Sequence, residues 1–120
     1  MGALVKGDWQ PGSLGKLASD GEFKRSETMF RNWVTADGSA GPTGEGGFPA
    51  ESGRYHLFVS YACPWAHRTL MFRKLKWLEP HIGVSVVHPD MLDNGWSFST
   101  DFPGATGDDL FGSDYLYEVY

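Results

Sequence analysis

The chain has 120 residues, of which 41% are hydrophobic and 15% aromatic. That is the size of one domain, with enough apolar material for a folded core rather than a disordered chain. A net charge of −5 argues against a nucleic-acid partner, which needs a basic footprint. No apolar run approaches the roughly 18 residues of a membrane span. The start "MGALVK" has neither a signal-peptide core nor the Ser or Thr that myristoylation needs at position six, where Lys6 stands. A cytoplasmic protein is expected, and a single cysteine suits a reducing compartment and forbids an internal disulfide.

Residues 1–52 read as an irregular arm, rich in Gly, Ser, Asp and Thr, with isolated aromatics at Trp9, Phe23, Phe30, Trp33 and Phe48. "ADGSAGPTGEGG" (36–47) is turn chemistry. It lacks the Gly-Lys-Ser/Thr ending of a phosphate loop, and Pro49 stands where the last glycine of GxGxxG belongs. The aromatics are expected to staple the arm onto a core. "RYHLFVS" (54–60) has the length and residue types of a buried strand.

"PWAHRTLMFRKLKWLE" (64–79) predicts a helix, with Pro64 at its first position and Pro80 ending it. Met71, Leu75 and Leu78, with Phe72 beside them, form an apolar stripe at helical spacing. The basic cluster "HRTLMFRKLK" reads as a solvated face, with Arg73, Lys74 and Lys76 where cations suit the helix dipole. "IGVSVV" (82–87) predicts a second strand, so residues 54–88 read as a parallel βαβ unit. Beyond Pro89 the chain is loop-like. Asn94-Gly95 marks a turn that delivers Trp96, and "YLYEVY" (115–120) looks like the start of a helix.

Cys63 falls at the junction of the first strand and the helix, where open α/β sheets place their ligands. A thiol at a helix N-terminus faces unpaired N–H groups, here those of Trp65 and Ala66 because Pro64 has none. Such positions favour the thiolate, and His67 and Arg68 in the first turn add positive charge. Free cysteine is also among the most buried and inert residue types, and that reading competes. No metal site is expected. Cys63 and His67 lie four apart, with His56, His81 and His88 elsewhere, but no second ligand pair has zinc-site spacing. Three residues after Cys63, where a dithiol oxidoreductase carries its resolving cysteine, stands Ala66. A mixed disulfide on Cys63 must therefore be cleared by an external thiol, and the abundant cytosolic one is glutathione.

"YHLFVSYACPWAHRTLMFRKLKWLEP", "SVVHPDMLDNGWSF" and "FPGATGDD", with "FRNWVTADG" and "GPTGEGGF" upstream, resemble the N-terminal part of the glutathionyl-hydroquinone reductases, the Xi class of glutathione transferases. The resemblance implies an α/β, thioredoxin-like N-terminal domain followed in the family by an all-helical one. It implies reduction of glutathionyl-hydroquinones by glutathione, with Cys63 as nucleophile. It also implies glutathione contacts from Trp96, Pro64 and Trp65, no metal, and a homodimer for full-length members.

Family members are more than twice as long as this chain. The expectation is therefore a partial thioredoxin-like domain at 53–120 behind the arm at 1–52. The helical domain is expected to be absent and a sheet edge left exposed. The enzymatic alternative is an omega-like glutathione thioltransferase or dehydroascorbate reductase, which shares the Cys-Pro start. The non-enzymatic alternative is an inactive fragment with weak binding.

Overall fold

The computed structural model describes residues 2–12, 27 and 29–120; Phe23, assigned a stapling role above, lies outside the described residues. Strands β1 (Ala3–Val5) and β2 (Asp8–Gln10) pair antiparallel across Lys6-Gly7, with Val5 opposite Asp8. Both turn residues have positive φ, 52° and 89°, as the tight hairpin turn that matches strand twist requires. Strands β3 (Trp33–Thr35) and β4 (Gly47–Pro49) pair in parallel. Their glycine-rich connection folds on itself: Asp37 accepts the Ser39 N–H at 3.0 Å and its hydroxyl at 2.6 Å. The Ser39 hydroxyl and then its N–H hold the Asp37 carboxyl below its ordinary value. Among its described residues, the arm expected to be irregular thus contains four short strands. They escape composition-based reading because each has only three residues.

The βαβ unit forms as expected. Strand β5 (Tyr55–Val59) leads to helix α1 (Pro64–Leu75), and β6 (Ile82–Val86) returns parallel to β5, with Tyr55 opposite Ile82 and Val59 opposite Val86. His56 faces Gly83 across the ladder; a Cβ on that glycine would lie 2.5 Å from His56 Nδ1. The small residue lets His56 Nε2 reach the Ser85 hydroxyl at 2.8 Å, which satisfies a side chain with no solvent exposure. Val59, Val86, Val87 and Phe98 are buried, and Phe58 packs edge-on against Phe98.

Helix α1 is shorter than predicted and stops at Leu75 rather than Glu79. Lys76 caps it and Trp77 adopts φ 57°, so the Trp77 N–H reaches Lys74 O (3.1 Å) and the Leu78 N–H reaches Arg73 O (2.9 Å). This is a Schellman termination carried by tryptophan at the position that usually holds glycine. Arg73 then ties the helix end to β6, with Nε donating to Ile82 O at 2.7 Å. Of the expected apolar stripe, Met71, Phe72 and Leu75 are exposed and Leu78, past the helix end, is half-buried; the half-buried helix positions are Ala66, Leu70 and Arg73.

Past β6, the stretch expected to be loop-like carries a short hairpin, β7 (Met91–Leu92) and β8 (Gly95–Trp96), around the expected turn at Asn94-Gly95, with Gly95 at φ 77°. The next segment runs back along the outer edge of β6. Thr106 Oγ1 accepts the Val86 N–H at 2.8 Å, and the Thr106 N–H donates to Val86 O at 2.9 Å. The sheet edge expected to be open is therefore partnered at Val86. Asp108 closes the following loop by accepting the N–H groups of Leu110, Phe111 and Ser113. Partial burial pushes its carboxyl up, but those Ser113, Leu110 and Phe111 N–H groups outweigh burial and hold it below its ordinary value. A 3-10 turn, Leu116–Val119, follows.

Candidate functional site

β5 is followed by Ser60, whose buried hydroxyl accepts the Ala62 N–H at 3.2 Å and whose carbonyl accepts the Cys63 N–H at 3.1 Å. This turn carries the chain off the sheet and sets Cys63 as the N-cap of α1, extended at φ −94°, ψ 116°. Pro64 occupies the first helical position, as expected. The Cys63 carbonyl accepts the His67 N–H at 3.0 Å, which closes the first helical turn. The thiol makes no capping hydrogen bond and is half-buried, and no acidic residue sits in the first turn. A sulfur so placed is reachable, and the backbone partial charge beside it is positive.

Ala66 is half-buried on the inner face of the helix, while Trp65, His67 and Arg68 are exposed. The ring of Tyr61 lies against Gly104, where a Cβ would be 3.5 Å from it. Among the described residues, no cluster of three or more His, Cys, Asp or Glu side chains gathers as a metal site. Nor is any helix there long and apolar enough to cross a membrane.

Trp96 is placed by the segment that follows β6. The Val87 N–H bonds Val59 O at the end of the parallel ladder, and the next residue, His88, donates its N–H to Ser97 O at 2.9 Å. Cys63 and Trp96 are thereby both tied to the carboxyl end of the β5–β6 pair, the side on which α/β sheets bind ligands. Trp96 borders a cavity of about 300 Å³ with Trp9, Met91, Leu116, Tyr117 and Tyr120. Cys63, Pro64 and Trp65 lie outside its lining.

Trp9 is the neighbour that sequence reasoning missed. Its Nε1–H donates to Asp93 O at 2.8 Å across 84 residues of chain, and its ring stacks on Tyr117 at 5.1 Å. Of the arm aromatics among the described residues, Trp9 fulfils the stapling role. Phe30 and Phe48 are exposed, and Trp33 bonds within the arm, its Nε1–H donating to Thr43 Oγ1 at 2.8 Å. No local pattern could have paired Trp9 with the 91–96 hairpin.

No protein-family profile matches the chain. Among solved structures, it superposes over its whole length on 33% of the Xi-class glutathione transferase of Natrialba magadii, with a TM-score of 0.74 and 47% identity. The glutathione-bound structure of YqjG from Escherichia coli K-12 matches 76% of the chain at TM-score 0.71 and 68% identity, covering 30% of that protein. The fold is the thioredoxin-like part of an Xi-class glutathione transferase.

Across all 120 residues the sequence is 59% identical to the glutathionyl-hydroquinone reductase YqjG of Escherichia coli strain K12, and it spans 37% of that protein's length. Over its whole length the chain is similar to an N-terminal portion of the glutathionyl-hydroquinone reductases, and it spans little more than a third of the length of the relatives it matches.

Proposed function

We propose that this protein takes part in the glutathione-dependent reduction of glutathionyl-hydroquinones, with Cys63 as nucleophile and Trp96, Pro64 and Trp65 contributing to the glutathione site. The observation that carries this reading is the position of its single cysteine: the N-cap of α1, at the carboxyl end of a parallel strand, with Ala66 in the resolving-cysteine slot. The 59% identity to a glutathionyl-hydroquinone reductase and the likeness to a glutathione-bound structure support it.

The Cys63 thiolate attacks the sulfur of the glutathionyl-hydroquinone. The carbon–sulfur bond breaks, its electron pair leaves with the ring carbon, and that carbon takes a proton to give hydroquinone. The new Cys63–glutathione disulfide is then attacked by the thiolate of a second glutathione, which restores Cys63 and releases glutathione disulfide. The two exchanges convert glutathionyl-hydroquinone and one glutathione into hydroquinone and glutathione disulfide: the substrate's own sulfur and the glutathione thiol each lose one electron, and the ring carbon gains two.

The test is turnover of glutathionyl-menadiol by the protein with glutathione as reductant. Menadiol release by the wild type, lost in Cys63→Ser, is the expected result. Equal rates in the two proteins would overturn the assignment of Cys63, and absence of turnover in the wild type would overturn the function.

A further inference from the structure

The N-terminal hairpin makes its close contacts at the turn that presents Trp96. The Trp9 indole N–H holds Asp93 O at 2.8 Å, and Asp93 belongs to the two-residue connection between Leu92 and Gly95. The same ring lies over Gly95: a Cβ there would be 2.9 Å from the indole. On the chain's other side Gly2 approaches equally closely, its built Cβ 2.5 Å from the ring, and both glycines are buried. Tyr117 stacks on Trp9 with 16° between planes, and Tyr115 stacks in turn on Tyr117 at 5.7 Å. Tyr115 bridges back to Ser97, the residue after Trp96. Trp9 is thus clamped on both flanks of Trp96, through Asp93–Gly95 before it and Tyr117–Tyr115–Ser97 after it.

We infer that Trp9 is a positioning residue for the glutathione site, acting through Trp96. A two-residue hairpin of two-residue strands has little stability of its own. Its geometry must come from what packs on it, and here that is an indole delivered by a separate hairpin. The contacts of Trp9 lie with Asp93, Gly95, Gly2 and Tyr117, so its removal affects the binding of glutathione and not the exchange at sulfur. This inference rests on the reading that Trp96 packs on glutathione.

The experiment measures the glutathione Kd by calorimetry, with KM and kcat for glutathionyl-menadiol turnover, in the wild type, Trp9→Phe and Trp9→Ala. Phe keeps a stacking ring and removes only the N–H donor, so it reports on the hairpin even if the alanine variant does not fold. The expected result is a glutathione Kd and KM raised about 5-fold in Trp9→Phe, the scale of one hydrogen bond. A larger rise is expected in Trp9→Ala, with kcat within about 2-fold of wild type in each folded variant. Unchanged Kd in folded Trp9 variants overturns the positioning role. So does a fall in kcat that tracks melting temperature with no change in KM, which marks a structural role only. A wild type that binds glutathione without turning over glutathionyl-menadiol refutes the proposed reaction alone, and the Kd comparison still decides the role of Trp9.

Discussion

Replacing Thr106 by valine tests how the outer edge of the parallel sheet is completed. The Val86 N–H points away from β5 and is accepted by Thr106 Oγ1 at 2.8 Å, and Val86 itself is 4% exposed. Valine has nearly the shape of threonine but no acceptor, so Thr106→Val leaves a buried backbone donor without a protein partner. Such a group costs about 1–3 kcal/mol. Thr106→Ser keeps the hydroxyl and removes one methyl from a side chain that is largely in solvent, a loss of at most about 0.8 kcal/mol. In urea unfolding the valine variant is expected to lose about 2 kcal/mol with an unchanged slope, and the serine variant less than half of that. For a chain of this size the valine change corresponds to a melting temperature lower by about 10 °C. Equal stability of the two variants would refute the claim that the hydroxyl, rather than the loop backbone, satisfies β6.

Gly83→Ala pushes a methyl into His56, whose Nδ1 would be 2.5 Å away, and so breaks the His56–Ser85 bond. A loss of about 1–3 kcal/mol is expected by denaturation, and a smaller one in a Ser85→Ala background, where no buried hydroxyl is stranded. Asp108 is held below its ordinary value in the folded state, so its contribution is complete at neutral pH and is lost as pH falls through that lowered value. Asp108→Asn should therefore be less stable than wild type at pH 7, with the gap closing below about pH 4 in pH-dependent melting. Treatment with glutathione disulfide should add a single glutathione, at Cys63, that excess glutathione removes; mass spectrometry finding none would exclude a reachable thiol there.

The central βαβ unit was legible because its signals are local: a β-branched run, a Cys-Pro helix start, a second β-branched run, and the Asn94-Gly95 turn. The helix end was not. Tryptophan carries no mark of a left-handed residue, whereas a glycine at position 77 would have announced the stop. The stripe Met71–Leu75 has helical period, yet period alone does not say which face meets the sheet. That was decided by Cys63 as cap and by Arg73, whose guanidinium reaches the carbonyls of Ile82 and Glu79. Of the candidate site, Cys63 and Pro64 could be placed from sequence to the residue. The setting of Trp96 depends on Trp9 and Tyr117, which meet it only through tertiary packing.

The bond from Trp9 to Asp93 closes 84 residues of chain, against 29 for the link from His56 to Ser85. Chain entropy makes the longer closure costlier by about 1 kcal/mol, so the hairpin docks after the parallel pair has formed. In the native ensemble the order reverses, and the contact that forms last is the first to open. Amide exchange at Trp9 and Gly95 should therefore run ahead of exchange at Val59 and Val86, by a sub-global opening that frees the arm and leaves the sheet intact.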